Sequence, residues 1–364
     1  MTIKQIANSI EEIAPLHFAE DFDNVGLLIG DYNKSIDKVL VSLDCLEDTV
    51  DEAIAEKAEL IVCFHPIIFS GLKKLNGNSY VERVVLKAIK NDIAIYAIHT
   101  ALDNSKDGVS KAICDRLGLL NSKILIPKKS SLVRLTYRVP TEDAKRVSLA
   151  LFELGAGKIG KYDQCSTSHF VKGSFRPMQG ANPAIGSIGE QEEVDEQELS
   201  LLIEEHKINR ILKGLFEEHP YEEVAYELTR LDNVNQDRGM GMYGEFDKPI
   251  QESEFIELLK TNMNTKLVRH STFSGNPIKR VAVLGGSGAF AIGQAKKVEA
   301  DAYVSADFKY HDFFKAENSI LLCDIGHYES EQYTKELIVD YLKKKFPNFA
   351  VVLSNKNTNP IHYS

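Results

Sequence analysis

The chain has 364 residues, 43% of them hydrophobic, which supplies enough apolar material for a real core and, at roughly 150 residues per domain, for two or three domains. Its 53 acidic residues outnumber 43 basic ones, giving a net charge of −10. That balance argues against a general nucleic-acid binder, which needs a basic face to displace counterions. It leaves room for a small anionic ligand, because a pocket can differ from the surface around it.

The N-terminus reads MTIKQIANSIEEIAP, with acidic residues and no apolar signal run. The most apolar stretch, Leu60 to Phe69, contains His65 and Pro66 and is too short to span a bilayer. The five cysteines are scattered, with no C-x-x-C pair. The expectation is a cytoplasmic protein with reduced thiols, no zinc ribbon and no membrane partner.

In chain order, Lys38 to Asp44 is β-branched and apolar, as a buried strand should be. A helix over Glu47 to Lys57 and a strand over Leu60 to Phe64 follow. Ser79-Tyr80-Val81-Glu82 has the form of a capping box and opens a helix to about Lys90. Ile93 to Ile98 is a third strand, and a helix follows near Val109 to Leu117. Alternating strands and helices imply a parallel sheet with right-handed crossovers.

The middle of the chain differs. Leu132 to Val139 alternates with period two. Thr141 is the expected N-cap of a helix reaching about Leu154, ended by Gly155-Ala156-Gly157. Strands near His169 to Phe175 and Glu198 to Glu204, a helix near Asn209 to Phe216 and a strand near Val224 to Leu231 complete the order β-α-β-β-α-β, that of a ferredoxin-like domain. Gln179 to Asp195 reads as a surface loop or hairpin. Polar stretches at Lys128 to Ser131 and Asp232 to Arg238 set the boundaries.

The last segment repeats the first in pattern. A strand over Arg280 to Leu284 ends in Gly285-Gly286-Ser287-Gly288, and a helix runs on to about Ala300. Ala302 to Ser305 and Ile320 to Ile325 are strands. One long amphipathic helix is expected from Tyr328 to Phe346, and a closing strand over Phe349 to Ser354. The fold class is therefore α/β, with two similar α/β halves (residues 1–130 and 236–364) forming a discontinuous core around an inserted ferredoxin-like α+β domain (131–235).

Polar residues fall where these strands end: Asp44, His65, then His99 with Asp103 in the first half, and the Gly285 turn, Asp307 and His327 in the last. Ligands of open α/β sheets bind at the carboxyl ends of strands. A single such histidine is usually a packed residue, but three with two carboxylates at matching ends point to one cleft. His327 and Glu331 stand four apart, on one helical face, a spacing that suits a shared metal. Equally weighted is Glu331 as an acidic first-turn residue favoured by the helix dipole. Asp103 could bridge two cations or make an Asx turn. His65, held extended by Pro66, reads alone as a buried histidine bonded to a carbonyl. Imidazole with carboxylate suits Zn, Mn, Fe, Co or Ni without choosing among them. Such a site can lower the pKa of a bound water to about 7.

The glycine run matches no phosphate-binding signature, and a tight turn is the simpler reading. Asp307-Phe308-Lys309-Tyr310-His311-Asp312 could line the cleft, although a solvated loop accounts for it as well. Cys165 and His219-Pro220-Tyr221-Glu222-Glu223 read as structural.

At these residues the sequence resembles the Nif-three-like dinuclear-metal proteins, often labelled GTP cyclohydrolase 1 type 2 homologues. The resemblance rests on Asp23-Asn24-Val25-Gly26-Leu27-Leu28, Phe64-His65-Pro66-Ile67-Ile68-Phe69, His99-Thr100-Ala101-Leu102-Asp103, the Gly285 run, the Asp307 to Asp312 segment and Gly326-His327-Tyr328-Glu329-Ser330-Glu331. The insert resembles the CutA and PII fold at Gly155-Ala156-Gly157 and His219 to Glu223. The resemblance implies a toroidal homohexamer and up to two divalent ions per subunit, held by His65, Asp103, His327 and Glu331. It departs at Phe64, where the family has a histidine, so one metal position is short of a ligand. By its label it also implies a metal-dependent hydrolase of a small nucleotide-like substrate; for such a reaction His99 and His311 are the candidate proton carriers and Lys309 and Tyr328 the candidate substrate contacts. The alternative is a non-enzymatic metal-binding or regulatory protein whose insert senses a ligand or gates the cavity.

Overall fold

The computed structural model describes residues 1–129 and 131–363. The chain divides into two compact units, Met1–Pro127 with Asp237–Ser364, and Lys128–Gln236. The boundary expected near 130 falls on Ser130, outside the described residues.

The chain opens with α1 (Ile3–Ile13), β1 (Gly26–Ile29), β2 (Lys38–Ser42), α2 (Glu47–Glu56), β3 (Leu60–Cys63), α3 (Tyr80–Lys90), β4 (Ala94–Ala97), α4 (His99–Asp103), α5 (Val109–Leu117) and β5 (Leu120–Lys128). The second unit holds β6 (Leu132–Pro140), α6 (Ala144–Glu153), β7 (Ser166–Phe175), β8 (Glu192–Glu204), α7 (Ile208–Glu218) and β9 (Tyr226–Leu231). The first unit resumes with β10 (Asn235–Ile250), α8 (Glu252–Asn262), β11 (Arg269–His270), β12 (Ile278–Ser287), α9 (Ile292–Lys297), β13 (Ala302–Ala306), β14 (Leu321–Asp324), α10 (His327–Glu331), α11 (Thr334–Lys345) and β15 (Ala350–Leu353).

The first unit contains two sheets, ordered β1-β4-β3-β2-β15 and β11-β14-β13-β12-β10-β5. Each has a parallel centre, β2-β3-β4 in one and β12-β13-β14 in the other, with antiparallel neighbours at β1, β10 and β11. The halves are not separate in the chain. β15 pairs parallel with β2, Val351 opposite Val39, while β5 from the early stretch joins the later sheet. Strands buried on both faces explain the near-continuous apolar runs. Val39, Val41 and Val62 of one sheet and Val281, Val283 and Val304 of the other share one core with apolar faces of α1, α5, α8 and α11. Leu40 and Ile61 turn the other way onto α2 and α3, as Ala282 and Tyr303 do onto α9.

The second unit is one antiparallel sheet, β7-β8-β6-β9, with α6 and α7 packed through Val147, Leu151, Ile211 and Leu215. The period-two pattern of β6 puts Val133, Leu135, Tyr137 and Val139 into that core. Thr141 does not cap α6: its backbone N–H and its hydroxyl both bond the Asp195 carbonyl, and the helix starts three residues later.

The expected capping box at Ser79 is half formed. The Ser79 hydroxyl accepts from Glu82 N, but the Glu82 carboxylate turns to the backbone N–H groups of Asn76 and Asn78. The long helix expected from Tyr328 breaks at Gln332 and Tyr333 into α10 and α11. The polar residues Glu329 and Ser330 on α10 are buried: Glu329 accepts from Asn359, and the Ser330 hydroxyl accepts from Gly286 N while donating to the His327 carbonyl within the helix. No helix among the described residues is long and apolar enough to cross a membrane.

Candidate metal centre

Every group of the site stands just past a strand of the two parallel centres or on the short helix that follows. His65 follows β3, with Asp44 past neighbouring β2; His327 and Glu331 lie on α10 past β14, with Asp307 past neighbouring β13. The His65 Nδ1 is 2.8 Å from Asp44 Oδ1, and the His327 Nδ1 is 2.7 Å from Asp307 Oδ2. Each carboxylate fixes its ring and leaves Nε2 as the inward-facing nitrogen, the way metal-ligating histidines are oriented. Both Nε2 atoms face Glu331 Oε2, at 3.1 Å from His65 and 3.2 Å from His327.

Glu331 is only 4% exposed, and despite these approaches its Oε2 has no partner with hydrogen-bond geometry. A buried carboxylate oxygen left this way is costly. Ligand atoms of His65, His327 and Glu331 lie within 4.8 Å of one another, the one such group among the described residues. Two imidazoles and a carboxylate converging on one point fit a divalent transition ion.

Charge points the same way. Burial works against a charged His65, yet Asp44 and Glu331 raise its pKa to about 10. Asp307 and then Glu331 raise His327 to about 11, against burial. Burial would lift Glu331, but His327 and His65 hold it at about 2. Asp103 is pushed well above the carboxylate range by burial and then by the charge of Glu331. Two mutually opposed buried carboxylates are the field a cation relieves.

Asp103, at the end of α4, is not in the compact group of three; it lines with His327 and Glu331 a cavity of about 260 Å³ that also takes in His99, Phe22 and Phe290. His99 Nδ1 is held 2.8 Å from Asp23 Oδ1, and its ring centroid is 5.3 Å from that of His65. Burial disfavours a charged Asp23, but bonds from His99 and Thr100 keep its pKa at about 2. Phe64 is fully buried in the shared core, 5.5 Å from the His99 ring and outside the cavity lining. His311 sits on an exposed turn against Tyr310 and Phe314, outside the cavity lining. Lys309 is exposed and caps the same turn, its N–H donating to Asp312. Tyr328 is half-buried against the shared core.

The glycine run is neither a phosphate cradle nor a free turn. It ends β12 directly under Glu331. A Cβ on Gly286, whose φ is +66°, would stand 2.4 Å from Glu331 Oε1, and one on Gly285 would meet Val109 at 2.6 Å. The Gly286 N–H donates to Ser330 Oγ at 2.9 Å, tying strand to helix. Sequence reasoning gave no orienting role to Asp44 and Asp307 and none to Asp23; the available signal was their place at strand ends and in the Asp23 to Leu28 motif.

Residues 1–360 match the model of one family, Duf34/NIF3 (NGG1p interacting factor 3). The chain belongs to the NIF3 family. It is 35% identical to the GTP cyclohydrolase 1 type 2 homolog of Bacillus subtilis, over 99% of this chain and 98% of that protein. It is 36% identical to the protein of that name in Halalkalibacterium halodurans, over 97% and 96%. A Bacillus cereus crystal structure described as related to NIF3 superposes with a TM-score of 0.89 at 34% identity, covering 100% of this chain and 99% of the other. A Staphylococcus aureus protein gives 0.80 at 29% identity with the same coverage. The mixed α/β fold with several sheets is thus that of NIF3 structures.

Proposed function

We propose that this NIF3 protein holds a divalent transition-metal ion on His65 Nε2, His327 Nε2 and Glu331 Oε2, with Asp103 completing the set, and hydrolyses a small nucleotide-like substrate in the adjoining cavity. The observation that carries the reading is Glu331 Oε2: buried, without a hydrogen-bond donor, and faced by two imidazole nitrogens whose rings are each fixed by an aspartate. The name shared by the relatives supports a purine-nucleotide substrate class.

An ion there would supply Lewis acidity and make water a usable nucleophile at neutral pH. The chain's own residues do the rest. Asp44 and Asp307 keep the two imidazoles in the tautomer that presents Nε2. His99, oriented by Asp23, is placed to move a proton at its cavity-side nitrogen. Phe22 and Phe290 supply part of the apolar cavity lining. With Phe64 in place of a ligand, one well-held ion per subunit is the expected content.

We further propose a cytoplasmic homohexamer, supported by large exposed aromatic groups at Phe22, Phe69, Phe290, Tyr310 and Phe314 and by cysteines that are all free. The β-α-β-β-α-β order and antiparallel sheet of the second unit support a ferredoxin-like, CutA- or PII-like domain.

The test is elemental analysis of dialysed protein followed by GTP turnover with added Mn or Zn. Bound metal with turnover that disappears in His327→Ala supports the hydrolase. Tight metal binding without turnover across a hydrolase panel would instead favour a metal-binding regulator, and no bound metal sinks both.

A further inference from the structure

The second unit has its own cavity, of about 600 Å³, under the segment that links β7 to β8. Apolar and aromatic groups make its walls: Phe175, Pro177, Met178, Ile185 and Tyr221. The Phe175 and Tyr221 rings stand 6.0 Å apart at 58°, leaving a tilted aromatic corner.

One charged side chain closes the inner end. Glu196, on β8, is 5% exposed and lines the cavity. Its Oε1 accepts from the Tyr221 hydroxyl at 3.0 Å, and its Oε2 has no hydrogen bond among the described residues. Oε2 lies against Gly173, where a Cβ would come within 2.2 Å. The glycine therefore makes room for the carboxylate at this spot. A carboxylate has about four acceptor positions, so with one donor in place it keeps acceptor capacity for a ligand that enters the cavity. Two guanidinium groups also line the cavity, Arg176 and Arg138, the latter committed to Glu198 at 2.9 and 3.0 Å. Glu222 and Glu223 add negative charge at the rim, with Glu222 also accepting from Asn182 N.

A pocket of this kind, apolar with one buried acid, selects a ligand with an N–H-rich positive head and an apolar body. We infer that the second unit binds a small organic cation, an amine or guanidinium on an apolar or aromatic stem, with its head on Glu196 and its stem between Phe175 and Tyr221. The site is independent of the proposed metal centre and of any hydrolysis there.

The test is calorimetric titration of the full chain, in EDTA, with phenethylamine and agmatine, and with 2-phenylethanol as the neutral counterpart. The expected result is binding of at least one cation at about 1 mM or tighter and of the alcohol at least tenfold more weakly, since a charge-assisted hydrogen bond is worth about 1.5–3 kcal/mol. Glu196→Gln should weaken the cation by tenfold or more. Gly173→Ala, which pushes on the same carboxylate from outside, should weaken it too, and its binding deficit can be read even if Glu196→Gln proves unstable. Failure of both cations to bind, equal binding of the alcohol, or undiminished binding in both variants would overturn the inference.

Discussion

The two parallel sheet centres of the first unit orient a histidine by matching means, and they differ in what surrounds it. In the first, Ser42 pairs with Cys63, and two residues past each stand Asp44 and His65. In the second, Ser305 pairs with Asp324, and Asp307 and His327 stand two and three residues on. In both, a hydroxyl from elsewhere holds the aspartate: Thr358 for Asp44 and Ser287 for Asp307. A hydroxyl–aspartate–imidazole chain is thus built twice from unrelated sequence. One difference is the residue before each histidine. Phe64 is packed in the shared core, whereas Gly326, at φ +92°, admits the Glu329 carboxylate, which a Cβ would meet at 2.2 Å. The second centre follows its histidine with a helix that brings Glu331; the first follows with strand and helix that bring His99 and Asp103. The duplication lies in the orienting pairs, and what surrounds them has diverged.

The largest break in this symmetry should come from removing a ligand. His327→Ala and His65→Ala should each lower divalent-ion affinity by more than about 100-fold, exceeding the 10–100-fold typical of an outer partner, as read by competitive chelator titration. Gly286→Ala comes next. Its Cβ would displace Glu331 and its backbone is left-handed, so affinity and stability should fall together, the latter by about 1–3 kcal/mol in urea unfolding. Asp44→Asn and Asp307→Asn sharpen the comparison: if the chains are equivalent, each costs about 10–100-fold in affinity, and the two losses agree within a few-fold. A large inequality would show that one histidine carries the ion.

The smallest effect lies in the second unit. His219 is held below its usual pKa by burial, and it must be neutral, because Nδ1 accepts from Tyr221 N while Nε2–H donates to the Arg138 carbonyl. The unfolded chain binds the extra proton first. This contribution is therefore complete above about pH 6.5 and declines as pH falls through that value toward the lowered folded pKa. Between about pH 7.5 and pH 5, wild type should lose more stability than His219→Gln in urea melts.

Much of this was legible in the sequence. The apolar runs of β2, β3 and β4 and the alternation in β6 announce their burial directly. α1 was not among the expected helices, although Thr2 and Gln5, which form a capping box, and Ile3, Ile6 and Ile10 on one face carry its signal. Periodicity cannot say which sheet a strand joins, so the exchange of β5 and β15 could not be read. Nor could the break at Gln332 and Tyr333, since the helical period continues through it. His65 and His327 were readable as candidates because they stand at strand ends, and Glu331 because it lies four residues past His327. Their meeting in one cleft was an expectation, but the contact that produces it could not be read, because it depends on Gly285 and Gly286 letting α10 approach β12.

The central claim is that His65, His327 and Glu331 share one cation. Anomalous diffraction from crystals grown with Zn or Mn, recorded at that metal's absorption edge, tests it most directly. A peak in contact with both Nε2 atoms and Glu331 Oε2 is the predicted result; a metal-loaded crystal with no peak there, or with its ion on other residues, would contradict it.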